Sequence, residues 1–387
     1  GVFAVLAIAA AGLVVALSLW VKAYRTRGVP SGKLATIVFF YQALPLVRPG
    51  KWRNVGSFVA TLTSVFSLSA DGNEESEQTG LCVSPNMTAR GKLALRYTVP
   101  FAALVVLIAA AVFQTLLKRY RGSSDRQHLH VHLQATVALA TMAYMTLMLT
   151  SLELVSCIQL GGLGLRWRWR ASIECYQPWQ AGPILLLCVL FPCPLGVVWL
   201  QSRRKADEAQ HIISKTIQGG FVGRCSWWLV VTLYRKAVLS CVFVLILDEV
   251  WRGVAQCVVL LLFLVAHLIW QPNANRVAGA LETLSLTLLS VLTVSTLPSL
   301  VLINKGLDES IRHDVALEWL QFLFVLTPGT AFLTDIVLMR LRQGREIDIV
   351  TDEVGPEGKH PEADQGLCLV CQEPADEDHD AECHALC

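Results

Sequence analysis

Apolar residues in this chain fall in long blocks separated by short basic loops. From Thr98 to Leu117 no side chain is charged, and Lys118-Arg119-Tyr120-Arg121 follows at once. At about 1.5 Å per residue, such a block covers the roughly 30 Å of hydrocarbon in a bilayer. Nine candidate blocks occur, at 2–20, 34–48, 98–117, 132–155, 182–200, 227–247, 253–270, 279–303 and 315–339; the second is short. Hydrocarbon offers no water to satisfy backbone groups, so each block predicts a helix. The blocks are apolar all round, without the period-two alternation of a membrane β-barrel. The expected fold class is all-α: a polytopic transmembrane helix bundle over 1–345, then a short acidic, Cys-rich cytosolic tail over 346–387.

One segment has a different period. Val55, Phe58, Val59, Leu62, Val65 and Phe66 recur at three/four spacing, with Gly56, Ser57, Ala60, Thr61, Ser64 and Ser67 opposite and Leu68 out of pattern. This predicts an amphipathic helix, at the membrane interface, packed into the bundle, or acting as a tenth span, because its polar face carries no charge.

Composition agrees with lipid as the solvent. Hydrophobic residues make up 54% of the chain and charged residues 16%, against about 25% charge in a soluble domain. The chain opens on Gly1-Val2, already apolar, and reads as a fragment, a processed product or the membrane part of something longer; Val2–Trp20 lacks the basic n-region of a signal peptide. Loop basic residues favour, by a narrow margin, an outside N-terminus and a cytosolic C-terminus. Sidedness after residue 70 is the same whether or not 55–68 spans. The acidic loop that begins at Asp71 then lies outside, where Asn86-Met87-Thr88 makes Asn86 a glycosylation candidate.

The twelve cysteines fall in three groups. Cys82, Cys157 and Cys175 lie in loops assigned to the outside, where disulfides persist. Cys157 and Cys175 bracket one loop and are the first choice for a bridge, although Cys82 is a possible partner for either. Cys188, Cys193, Cys225, Cys241 and Cys257 sit in or beside spans and read as small packing residues. The third group is in the tail: Cys368-Leu369-Val370-Cys371, then Cys383-His384-Ala385-Leu386-Cys387. The Cys-x-x-Cys knuckle of Cys368 and Cys371, with Cys383, His384 and Cys387 after it, is a candidate donor set for zinc. It resembles the first half of a RING finger, lacking the residue between the third Cys and the His and ending before the last ligand pair. The other reading is a disordered acidic tail.

Charges inside apolar blocks are functional candidates by default. Arg235 and Lys236 sit within 227–247. Either Arg235 faces the bundle interior, or Trp227–Tyr234 is an interfacial segment. Glu282 and Asp335 lie in the eighth and ninth blocks, as partners for Arg235 or Lys236 and as polar elements of an ion pathway. Pro45, Pro192, Pro194, Pro298 and Pro328-Gly329 interrupt blocks and predict kinks. His128, His130 and His132 read as interfacial, with metal binding as the alternative. Arg166-Trp167-Arg168-Trp169-Arg170 reads as a headgroup anchor or a ligand-facing strand. No nucleotide-binding loop, nucleophile elbow, zinc-protease motif or potassium filter is present, and no span has the arginine repeat of a voltage sensor.

An ordered set of motifs carries a resemblance. Lys33 with Phe39-Phe40-Tyr41-Gln42, Cys82, Tyr97 and Pro100 form a first block. Cys157, Ser172-Ile173-Glu174-Cys175-Tyr176 and Pro194-Leu195-Gly196-Val197 form a second. Trp227-Trp228, Tyr234-Arg235-Lys236, Leu239, Gln271-Pro272-Asn273 and Glu282 form a third. Over about residues 20–300, this order resembles the multi-pass C-terminal region of large algal and protist surface proteins labelled TRP-like (transient receptor potential-like). The resemblance implies a channel or channel-related sensor at the cell surface. Lipid and ions are the expected partners, along with extracellular partners through an N-terminal region; nucleic acid is not one. The alternatives are a non-conducting membrane anchor for an extracellular adhesive region and, were the tail completed, a membrane-tethered ubiquitin ligase of RING type.

Overall fold

The computed structural model describes residues 32–47, 89–120, 127–168, 170–196, 221, 225, 227–304 and 315–353. The helices are α1 (Gly32–Val47), α2 (Ala89–Tyr120), α3 (Gln127–Val155), α4 (Ala181–Leu190), α5 (Trp228–Leu245), α6 (Glu249–Trp270), α7 (Arg276–Asn304) and α8 (Val315–Glu353). The first apolar block (2–20), the amphipathic segment 55–68, Cys82, Asn86 and the tail with Cys368, Cys371, Cys383, His384 and Cys387 lie outside the described residues. So do the side chains of His128, His130 and His132. The chain divides into two compact units, 1–333 and 334–387, and the division falls inside α8.

Six helical segments are long and apolar enough to cross a membrane: Ala135–Val155, Pro178–Gly196, Trp228–Leu245, Glu249–Trp270, Arg276–Pro298 and Trp319–Leu338. Lys33–Val47 and Pro100–Phe113 form shorter apolar helices. Eight of the nine expected blocks are therefore helical in whole or part, and the segments qualifying as spans number six among the described residues. The chain has the architecture of a multi-pass membrane protein.

One of the short helices, α1, is the most central. α1 packs against α3, α5 and α7, and Phe39, Phe40, Tyr41, Ala43 and Leu44 are all buried. Sixteen residues reach only about 24 Å at helical rise, so the segment is short for a lipid-facing span. Its apolar surface instead meets other helices on all sides, as expected of a helix hydrophobic all round. Polar side chains fix it. The Gln42 Nε2 donates to the Met142 carbonyl at 2.9 Å, the Gln256 Nε2 to Leu46 at 2.8 Å and the Tyr41 hydroxyl to Val325 at 3.0 Å. By contrast Leu185, Val189 and Leu195 in the Pro178–Gly196 segment, and Val258, Leu262 and Ile269 on α6, are exposed, which marks faces suited to lipid.

Several serines and threonines of the spans satisfy their hydroxyls locally. Those of Thr150, Ser151, Ser240, Ser290 and Thr293 each donate to the carbonyl four residues earlier, which removes the cost of an unpaired donor in apolar surroundings.

Tyr41 makes a more specific junction with α8. Pro328 has no N–H to give to the helix ladder. The Tyr41 hydroxyl donates to Val325 and also hydrogen-bonds the Gly329 backbone, the two residues whose groups would otherwise pair in the ladder. A Cβ at Gly329 would lie 2.7 Å from the Tyr41 hydroxyl oxygen, and the buried ring has no room to retreat. Gly329→Ala is therefore expected to cost about 1–3 kcal/mol through overpacking. Adding Tyr41→Phe removes the clashing atom, so the double variant should be less destabilised than the two single losses added together. Thermal melts of the four proteins in detergent check this; strict additivity refutes it.

The described residues are mostly helical, as expected, and one loop adds a small three-stranded antiparallel sheet in order β1-β2-β3: β1 (Cys157–Gln159), β2 (Leu165–Trp167) and β3 (Arg170–Glu174). It joins α3 to the segment leading into α4. Gly161 and Gly164 adopt positive φ in the turn between β1 and β2. Cys157 and Cys175 are disulfide-bonded across the base, with Cα atoms 6.2 Å apart. The expected pairing is thus observed.

Candidate functional site

Two connections bring the buried charges together. Asp248 caps α6, its side chain accepting from the Trp251 backbone at 2.9 Å, so α5 and α6 run antiparallel after a tight turn. Gln271 ends α6 in the left-handed region (φ 39), and Pro272 forbids continuation. Asn275 then starts α7, its Oδ1 accepting from the Val277 backbone at 2.9 Å. The second hairpin sets the C-terminal turn of α6 beside the first turns of α7, with the N-terminal half of α5 against both.

Arg235 and Glu282 meet there. Arg235 Nη1 donates to Glu282 Oε1 at 2.8 Å, and the two residues are 2% and 5% exposed. The interior alternative for Arg235 therefore holds: Trp228–Leu245 is one continuous helix with Arg235 inside the bundle. Around the pair, Asn273 Nδ2 donates to Glu282 Oε2 at 2.9 Å, and His267 Nδ1 lies 3.6 Å from the same oxygen. The Arg235 guanidinium carbon sits 4.0 Å from the Phe39 ring centroid, a cation–π contact that adds attraction without a hydrogen bond. Trp228 stacks near His267, ring centres 5.9 Å apart. Asn273 is held by a backbone bridge to Phe221.

The cluster is balanced in charge but incompletely bonded. Arg235 Nε, His267 Nδ1, Trp228 Nε1 and Ser285 Oγ are buried without a hydrogen-bond partner among the described residues. Each such group costs about 1–3 kcal/mol relative to a satisfied one.

The other expected polar residues are placed differently. Lys236 is buried but turns to α3, its Nζ donating to the Thr141 carbonyl at 2.8 Å. The pairing of Arg235 with Glu282 confirms one expected partnership. Lys236, the alternative partner for the Glu282 and Asp335 carboxylates, takes a carbonyl instead. Asp335 lies on α8 in the second compact unit.

A second polar group caps the opposite end of α5. Arg168, just past β2, donates from Nη1 to the Val244 carbonyl in the last turn of α5. Burial and the neighbouring Arg252 push its guanidinium down from the usual range, while Glu153 and Glu249 act the other way. Arg252 also pairs with Glu249 at 3.5 Å and lies over the Phe243 ring. Trp167 is wholly buried, its Nε1 donating to the Glu153 carbonyl at 2.9 Å and its ring edge-on to Trp179 at 5.7 Å. The headgroup-anchor expectation for this segment is thus corrected at Trp167: the indole found a buried carbonyl and an aromatic neighbour, which satisfies both its polar and apolar parts without lipid. Arg166 pairs with Glu174 at 3.3 Å.

His267 and Asn273 were not assigned to the site from sequence. One signal was available: His267 and Glu282 lie on either side of the Gln271–Asn275 turn, and residues flanking a helical hairpin turn face each other. Searched against family models, curated proteins and solved structures, the chain matches none of them.

Proposed function

We infer that this chain is the membrane region of a TRP-like cell-surface protein and acts as a channel-related sensor, with the Arg235–Glu282 cluster as its gating element. One observation carries the reading: a neutral yet under-bonded ionic cluster ties α5, α6 and α7 together inside an apolar bundle. Such a cluster has more than one way to distribute its hydrogen bonds, which is what a two-state element requires. The disulfide-pinned hairpin, which Arg168 joins to the far end of α5, gives a stimulus on the outside a mechanical route to it.

The test is electrical. Full-length protein in planar bilayers should pass ionic current, and Arg235→Leu should change its voltage dependence or selectivity. Current that is identical in the variant removes Arg235 from the gate. A wild type that folds and conducts nothing favours the second reading, a non-conducting anchor for an extracellular region. That reading draws on the rigid hairpin and on the mutual cancellation of the Arg235 and Glu282 charges.

A further inference from the structure

His267 turns both ring nitrogens toward oxygen acceptors. Nε2 lies 3.3 Å from the Gly279 carbonyl oxygen, and Nδ1 lies 3.6 Å from Glu282 Oε2. A neutral imidazole has one N–H, so either tautomer leaves a lone pair facing an oxygen. Only the imidazolium has a donor for each. The residue is 3% exposed, so water competes poorly for either position.

Among the described residues, the groups around it are few. From α7 come the Glu282 carboxylate and the Gly279 carbonyl. From α5 come the Trp228 ring and, through its bond to the other oxygen of Glu282, the Arg235 guanidinium. Lys236 follows Arg235 on α5 and is also buried. The turn between α6 and α7 supplies the neutral Asn273, which donates to the same Glu282 oxygen that faces His267.

We propose that His267 and Glu282 form a proton-binding site inside the bundle, and that proton uptake redistributes the bonds of the Arg235–Glu282 pair. The Nδ1 lone pair takes a proton from water and no protein bond breaks. The charge of the Arg235, Glu282 and His267 group rises from zero to a single positive charge. The new Nδ1–H draws the ring onto Glu282 Oε2, where it competes with Asn273 and weakens the hold of Arg235 on the carboxylate. α6 and α5 thereby exchange shares of one carboxylate on α7. The functional consequence rests on the sensor reading above; the proton binding does not.

Trp228 provides the readout, because an imidazolium in contact with an indole quenches its fluorescence more than an imidazole does. Full-length protein in nanodiscs should show a reversible loss of tryptophan emission on acidification, and Trp228→Phe should remove that component. His267→Gln places an amide donor near Nε2 and imitates the neutral ring. His267→Asn places one near Nδ1 and supplies the donor that the charged ring adds there, without its charge. Both should abolish the pH-dependent component. In conducting preparations, His267→Asn should hold the low-pH behaviour at neutral pH.

A quenching step that survives in both His267 variants overturns the proposal, as does its absence from the wild type. If neither variant folds, nitrogen-15 spectra of histidine-labelled wild type decide. One solvent-shielded ring protonated on both nitrogens at low pH supports the site, and a shielded ring that stays singly protonated overturns it. None of these optical or magnetic readouts needs current, so a failed conduction experiment and a failed proton site are told apart.

Discussion

Arg235→Leu is expected to destabilise the folded chain by about 3–5 kcal/mol, the usual consequence of leaving a buried charge without its partner. The Glu282 carboxylate would keep only the Asn273 amide at 2.9 Å and the more distant His267 ring. Glu282→Leu should cost a comparable amount, since it strands a guanidinium that is already missing a bond at Nε. Arg235→Leu combined with Glu282→Leu should recover most of the loss, because two leucines remove both desolvation costs and suit the apolar surroundings. Denaturation in mixed micelles, with helicity as the signal, measures all four proteins. A loss in the double variant equal to the sum of the two single losses would show that the pair does not interact energetically.

Trp167→Ala should lower stability by a similar amount, about 3–5 kcal/mol, as for other buried aromatic truncations. The ring is fully enclosed, with Leu154 among its close neighbours and Trp179 edge-on, and its N–H satisfies a carbonyl of α3. Trp167→Phe keeps part of the burial but leaves the Glu153 carbonyl without this donor, so it should fall between alanine and wild type. The loss should concentrate in the hairpin and the end of α5 that Arg168 caps. Hydrogen exchange at the β2 amides and in the last turn of α5 should accelerate together. Faster exchange in the hairpin alone would show that the hairpin and α5 are energetically separate, and would cut the proposed route from the hairpin to the Arg235 cluster.

These two residues also show how far the sequence could be read. Arg235 stood out because a cation in an apolar block is costly, and cost is legible without coordinates. Its pairing with Glu282 was one of several arrangements consistent with helix ends on the same side. Trp167 was misread because indole serves a membrane interface and a buried hydrogen-bonded pocket equally well. The alternating arginines looked like surface anchors until Arg166 was seen paired with Glu174 and Arg168 at the end of α5. The disulfide was a simpler inference: two cysteines bracketing one loop, with few competing partners.

The central position of α1 was not legible for a different reason. In a soluble protein, a helix apolar all round announces burial. In a membrane, lipid-facing and protein-facing surfaces are both apolar, so hydropathy cannot say that Phe39, Phe40 and Tyr41 are inside while Leu185 and Leu262 are outside. The short length of α1 was the available hint. Gln42, which holds Met142, and Gln256, which holds Leu46, were the residues that made the assignment physically necessary, since each amide needs a partner that lipid cannot provide.

The sequence by itself determined the solvent of this chain: runs of apolar residues long enough for hydrocarbon leave the backbone no option but helix, and so gave the positions of the helices. Tertiary structure alone decided which helix lies at the centre, which oxygen each buried cation reaches, and that His267 shares a carboxylate with Arg235. Helix formation depends on neighbours a few residues away, whereas those partnerships depend on groups brought together from distant parts of the chain.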